Sequence, residues 1–312
     1  MRIVVHGQQA FGKSVLEALL ERKENVVGVY CGPDPAQGGR VDPLKEAALA
    51  RNLPVFQPRS FRNKPEVWEE FARLKADLCV MAYVTLIVPE EVLNQPTRGT
   101  IQYHPSLLPK YRGPSSINWP IIKGEIETGL TIFRPSDGLD EGAVILQKKT
   151  PLSTEDTLGT VYFDRLFPLG VSAMLEAADL VVAGKHTETV QDESQASYEG
   201  WCRTAEARID WAKPIDHVYN LIRGCNPAPG AWTTHNGKKL QIFDARKILF
   251  RRFADVTGKI GEVTDVSAQS FKVTAQGGVV EVLKARFEDG KKLSGGEVAQ
   301  SGCLTAGTLL GT

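Results

Sequence analysis

Apolar runs of strand length alternate with segments of helical spacing along the first hundred residues. Ile3–His6 is the first such run, and Lys13–Arg22 follows with Val15, Leu16, Leu19 and Leu20 on one helical face. The alternation continues with a strand at Val26–Cys31, a helix at Pro43–Arg51, a short strand at Pro54–Gln57 and a helix at Glu66–Lys75. Asp77–Ala82 reads as a buried strand, Pro89–Leu93 as a short helix and Thr100–Tyr103 as the next strand. This β–α order predicts a twisted, mostly parallel sheet with helices on both faces. Ligands of such sheets bind beyond the carboxyl ends of the strands.

The pattern then changes. Gly129–Phe133 and Ala143–Lys148 predict two more strands, and Leu158–Ala183 a long helical stretch interrupted or bent near Pro168. Gly184–Ser197 is polar and reads as a connection. A helix at Ile215–Arg223 and a Pro-rich turn at Asn226–Gly230 lead into short β-like segments at Ala231–Thr234, Leu240–Asp244, Gly258–Val266, Ser270–Ala275 and Val279–Lys284. Short strands with frequent turns predict a small barrel-like β domain.

At 312 residues the chain has room for two domains, and 42% hydrophobic with 24% charged residues fits a globular protein with a sizeable core. Its 37 basic and 37 acidic residues cancel, so no overall charge draws it to nucleic acid. No apolar run approaches the roughly 20 residues that span a bilayer. Met1–Gly7 reads as a strand entering a turn rather than a signal peptide, so cytoplasmic residence without a membrane partner is expected. Five scattered cysteines form no Cys-x-x-Cys pair, and no residue cluster has metal-ligand spacing, so no metal is expected. The turn Gly7-Gln8-Gln9-Ala10-Phe11-Gly12 lacks the Gly-x-Gly-x-x-Gly spacing that lets backbone approach a pyrophosphate.

Candidate chemistry concentrates after two predicted strands. Gln102-Tyr103-His104-Pro105-Ser106-Leu107-Leu108-Pro109 and Gly138-Leu139-Asp140-Glu141-Gly142 together supply an amide, an imidazole and a carboxylate. Imidazole titrates near neutrality, a carboxylate can orient it, and an amide can donate to a developing oxyanion. Acyl transfer needs that set. Each stretch alone is also ordinary turn chemistry; the combination is what points to function.

His104-Pro105-Ser106-Leu107-Leu108-Pro109-Lys110-Tyr111-Arg112-Gly113, with Asn118-Trp119 and Asp137–Gly142, resembles the 10-formyltetrahydrofolate-dependent formyltransferases. That family includes enzymes acting on methionyl-tRNA, glycinamide ribonucleotide and sugar nucleotides, and the amino-terminal hydrolase domain of 10-formyltetrahydrofolate dehydrogenase. Gly7-Gln8, Asp42-Pro43-Leu44, Tyr198-Glu199-Gly200, Ile222-Arg223-Gly224, Pro229–Trp232 and Glu288–Lys291 are most similar to the hydrolase domain. The resemblance implies a Rossmann-like domain over residues 1–184, a linker over 185–204 and an OB-like β-barrel domain over 205–312. It implies 10-formyltetrahydrofolate as formyl donor, His104 as the proton-transferring residue and Asp140 as its partner. Leu86, Ile87 and Val88 match the segment whose backbone meets the pterin, and Ser136, Asp137 and Gly138 the loop lining the folate pocket. Ser106 and Arg112 of the motif would contribute to substrate binding.

Gln102 departs from the family, whose formyltransferases carry Asn there and whose hydrolase domain carries an aliphatic residue. Gln keeps the amide on an arm longer by about 1.5 Å, and oxyanion donor is its expected role. The acceptor is left between a small amine and water. Methionyl-tRNA is disfavoured, because the loop Gly32–Val41 has Arg40 as its one basic residue. A catalytically weak folate-binding regulatory protein is the alternative of a different class.

Overall fold

The computed structural model describes residues 1–35, 39–288 and 290–311. Ala36–Gly38 of the loop Gly32–Val41, and Asp289 of the Glu288–Lys291 stretch, lie outside the described residues. The chain divides into two compact units: Met1–Gly113, Gly129–Thr150 and Arg165–Tyr198 form the first, and Pro114–Thr128, Pro151–Asp164 and Glu199–Thr312 the second.

The strands β1 (Arg2–Gly7), β2 (Asn25–Tyr30), β3 (Val55–Phe56), β4 (Leu78–Ala82), β5 (Thr100–His104), β6 (Glu127–Phe133) and β7 (Val144–Pro151) build one sheet, in the order β3-β2-β1-β4-β5-β6-β7. The pairs from β3 to β5 are parallel, and β6 runs antiparallel to β5. β1 and β4 are apolar and buried almost throughout, as strands covered on both faces must be. Alternation sends Ile3 and Val5 to one side of the sheet and Val4 to the other. Ile3 and Val5 join Val15, Leu16 and Leu19 of helix α1 (Gln9–Glu21), while Val4 packs with Tyr30, Phe61 and Phe71.

Strand order reverses between β1 and β4, and the turn after β1 shows why it tolerates no bulk. A Cβ on Gly7 would lie 2.3 Å from the Ala82 carbonyl oxygen. The following helix end is engaged from within. Both carboxylate oxygens of Asp42 accept from the Gln9 N–H at 3.0 Å, and one also caps helix α2 (Pro43–Leu49) at Leu44 N–H, 2.8 Å. The chain's own carboxylate thus takes the place of an external anion at the α1 N-terminus.

Helices α3 (Pro65–Arg73) and α4 (Glu90–Leu93) precede β4 and β5 as expected. The helical stretch expected over Leu158–Ala183, interrupted or bent near Pro168, is a π-helical turn, Thr160–Leu166, that passes directly into α6 (Phe167–Val182). Pro168 lies in the first turn of α6, where its lack of an N–H goes with the change of helical hydrogen bonding. The polar stretch expected to begin a linker at 185 instead stays with the first unit to Tyr198. Thr189 exchanges backbone hydrogen bonds with Val144 of β7 at 2.8 and 2.9 Å.

The second unit carries α5 (Asn118–Ile122), α7 (Ile215–Gly224), β8 (Ala231–His235), β9 (Lys238–Leu249), β10 (Val263–Val266), β11 (Phe271–Ala275), β12 (Gly278–Phe287), β13 (Leu293–Ser294) and α8 (Gly295–Ser301). Its sheet runs β10-β11-β12-β9-β8 with β13 on β12, and every pair is antiparallel. Register shifts at Val282–Ala285 bend β12, as bulges do. Trp211, Val218, Ile222, Leu240, Phe271 and Val282 pack within its core. Among the described residues, no helix is long and apolar enough to cross a membrane.

Candidate active site

β5 is an interior strand, and its alternation separates packing from chemistry. Tyr103 turns into the core, its ring 4.3 Å from that of Phe11, while Gln102 and His104 share the opposite face. Gln102 is flanked by Met81 of β4 and Phe133 of β6, and His104 lies opposite Thr131. The strand therefore delivers an amide and an imidazole at its carboxyl end on one surface. Among the described residues, the Gln102 side chain makes no hydrogen bond, and it remains partly exposed.

Beyond β5 the chain folds back on the imidazole. Ser106 N–H donates to the His104 carbonyl at 2.9 Å, and its hydroxyl to the Lys110 carbonyl at 2.7 Å. Thr131 donates to the Ser106 carbonyl at 2.7 Å and accepts from Leu108 N–H at 3.1 Å. Tyr111, at φ +59°, closes the turn with its carbonyl 2.9 Å from His104 Nε2. A carbonyl only accepts, so Nε2 carries a proton.

The other ring nitrogen faces Asp140, with Nδ1 3.5 Å from Oδ2 and both side chains buried. That spacing exceeds a hydrogen bond but keeps the carboxylate beside the ring in a setting of little solvent. Both nitrogens thus look at acceptors, so a proton arriving at the ring finds a partner on either side. Asp140 sits at φ +58°, a conformation that aspartate tolerates better than most residues. Its Oδ2 also accepts from Gly113 N–H at 2.9 Å. The residues holding His104 from two sides, Tyr111 and Asp140, both adopt the left-handed region, where strain accompanies imposed geometry.

The Asp140 loop is sterically constrained at Gly142, where a Cβ would meet the Arg134 carbonyl oxygen at 1.5 Å. Asp137 accepts from Glu90 N–H at 3.1 Å, and Glu90 in turn accepts from Asp137 N–H at 3.4 Å, which ties this loop to α4. Ser136 and Gly138 lie beside it, partly exposed. Leu86–Val88 form an irregular segment after β4, with Val88 buried and Ile87 exposed. Among the described residues, the backbone amides and carbonyls of Leu86, Ile87 and Val88 make no hydrogen bond.

Two expected binding residues turn inward. Ser106 is fully buried and its hydroxyl is engaged by Lys110, so it shapes the loop rather than facing a ligand. Arg112, expected to contribute to substrate binding, is fully buried. Its Nε and Nη2 donate to Gln191 Oε1 at 3.1 and 2.8 Å, and Nη1 and Nη2 to the Glu193 carboxylate at 2.9 and 2.6 Å. Nη1 also donates to the Tyr198 hydroxyl at 2.5 Å, so all five guanidinium donors are used. The guanidinium holds the Glu193 carboxyl below its ordinary value of 4.5. Gln191 and Glu193 fall in the polar stretch read as a connection and carry no recognisable motif, whereas Tyr198 opens the Tyr198-Glu199-Gly200 stretch that carries part of the resemblance. Thr189, two residues before Gln191, bridges to β7 and shows that the stretch is structural. Among the described residues, no group of three or more His, Cys, Asp and Glu side chains could hold a metal ion.

Such an arrangement can accept and return a proton at the imidazole, hold the resulting charge beside a carboxylate and offer an amide donor on the same surface. Residues 1–178 match the family described as Formyl transferase, and residues 202–302 match Formyl transferase, C-terminal domain. The chain is 35% identical to the mitochondrial 10-formyltetrahydrofolate dehydrogenase of Mus musculus, over 97% of its own length and 33% of that protein. It is 36% identical to the methionyl-tRNA formyltransferase of Syntrophus aciditrophicus (strain SB), over 99% of its own length and 98% of that protein. It therefore spans about a third of the dehydrogenase it matches and nearly the whole of the tRNA enzyme. Among solved structures, HypX from Aquifex aeolicus in complex with tetrahydrofolic acid superposes with a TM-score of 0.67 at 22% identity, covering 96% of this chain and 47% of that one. At that identity the likeness concerns the fold.

Proposed function

Because this chain belongs to the formyl transferase family, we propose that it takes the formyl group of 10-formyltetrahydrofolate and passes it to an amine, through His104, Asp140 and Gln102. The observation that carries the reading is the placement of Gln102 and His104 on one face of β5, with Asp140 3.5 Å from the imidazole.

The amine nitrogen attacks the formyl carbon, and the carbonyl electrons move onto oxygen. The Gln102 amide donates to that oxyanion. A donor of this kind addresses a charge that exists only in the tetrahedral state, and one such donor is worth roughly 2.7–4 kcal/mol in a characterised case. The attacking amine gives up a proton and N10 of the folate gains one as the C–N10 bond breaks. His104 relays that proton, and Asp140 holds the imidazolium while it exists. Tetrahydrofolate leaves and the formamide remains on the acceptor.

Pterin binding draws support from the backbone of Leu86–Val88, whose amides and carbonyls are uncommitted. An aminopterin edge alternates donors and acceptors, which such a segment matches. The Ser136–Gly138 loop, tied to Glu90 through Asp137, would line the same pocket.

Water is the second acceptor, favoured by the 35% identity to the dehydrogenase over almost all of this chain. Methionyl-tRNA is less favoured, because Arg40 is the one basic residue of Gly32–Val41. Binding of 10-formyltetrahydrofolate, followed by tetrahydrofolate formation with and without a panel of primary amines, separates these readings. Amine-dependent formation supports transfer, amine-independent formation supports hydrolysis, and tight binding without either supports a folate-binding regulatory protein. Absence of folate binding refutes the proposal.

A further inference from the structure

Asp140 holds φ +58°, which costs an aspartate less than most residues but is still disfavoured for an L-residue. An external clamp therefore helps to hold the loop, and the side chain of Gln191 is placed as one. Its Nε2 donates to the Asp140 carbonyl at 2.8 Å and to the Gly142 carbonyl at 2.7 Å. Its Oε1 accepts from Arg112 Nε and Nη2. Carbonyls accept only and guanidinium donates only, so the amide has one orientation, and all four of its hydrogen-bonding positions are filled. Gln191 is 6% exposed. Arg112, whose neighbour Gly113 donates its own N–H to Asp140 Oδ2, completes a closed ring of contacts around the carboxylate.

We propose that Gln191 is the positioning residue of this centre: anchored by Arg112, its amide fixes the Asp140 loop so that the carboxylate faces His104. Its relevance to turnover rests on the proposed formyl transfer, but the positioning itself does not. Gln191→Glu keeps the shape and the acceptor for Arg112 while it removes both donors, leaving an oxygen opposed to two carbonyls.

The test is the imidazole 15N spectrum of His104, recorded without folate in the wild type, Gln191→Glu and Asp140→Asn. Gln191→Glu is expected to displace the His104 signals in the direction that Asp140→Asn displaces them. Signals that superpose on the wild type overturn the proposal. Kinetics add a second reading: Gln191→Glu should lower kcat by about 100-fold, the scale of an ångström-sized misplacement, with KM for 10-formyltetrahydrofolate unchanged. Added to Asp140→Asn, it should lower kcat no further, because residues acting as one unit are not additive. An undiminished further fall in the double variant would assign Gln191 a general structural role and overturn the proposal. If Gln191→Glu does not fold, Gln191→Met, of similar volume and without donors, carries the same comparison. A wild type that binds no folate and releases no tetrahydrofolate refutes the formyl-transfer reading alone, and the spectra still decide the role of Gln191.

Discussion

Replacing Arg112 by Lys keeps the charge and discriminates sharply between two accounts of what that residue does. If Arg112 served as a cation for Glu193, lysine would suffice. The structure assigns it five directed donors to three side chains, and a single ammonium with three donors cannot reproduce that planar fork. The partners are not equally vulnerable. The Glu193 side chain is 67% exposed and can return to water when its partner is lost, as surface ion pairs do. Gln191 Oε1 lies inside and loses both of its donors, which costs about 1–3 kcal/mol for an unsatisfied buried acceptor. For a unit of this size that lowers Tm by about 2–12 °C. Thermal unfolding of wild type, Arg112→Lys and Glu193→Gln in one buffer measures it. The expected order is a clear fall for Arg112→Lys and little change for Glu193→Gln. Equal falls in both variants, or none in Arg112→Lys, would refute the view that the guanidinium acts through Gln191.

Two other perturbations read different links. His6, 4% exposed and packed near Tyr30 and Phe61, has its pKa lowered by burial to about 3, against 6.5 in an unfolded chain. The unfolded state therefore binds a proton that the folded state refuses, so stability is full above pH 6.5 and falls as pH drops toward 3. On this account the slope reaches about 1.4 kcal/mol per pH unit; denaturant midpoints at pH 7, 6 and 5 should show it in the wild type and a shallower slope in His6→Leu, and parallel slopes would contradict it. Gln102→Leu should lower kcat for tetrahydrofolate formation by about 100- to 1,000-fold with KM little changed, the signature of a donor used in the transition state. An unchanged kcat in initial-rate assays would remove Gln102 from the oxyanion role.

The mostly parallel sheet was legible because burial on both faces leaves nearly unbroken apolar runs, as in Leu78–Ala82, and the candidate site could be proposed because His104 and Asp140 end or follow such runs. The helix α8 was not. Gly295 and Gly296 disguise it, although Ser294 and Glu297 form a reciprocal capping box that a search for Ser-x-x-Glu would have found. Gln191 was hidden for a deeper reason. A buried polar residue whose value lies in saturating contacts across 51 residues of sequence separation from Asp140 has no local signature. Arg112 was visible as a motif residue, but its direction was not: burial of a charge depends on partners brought from 191, 193 and 198.

Tetrahydrofolate release from 10-formyltetrahydrofolate, followed for the wild type and His104→Ala with and without amine acceptors, tests the central claim most directly. The account predicts release that collapses in His104→Ala while folate binding persists. Equal release by both proteins would place the chemistry elsewhere and contradict it.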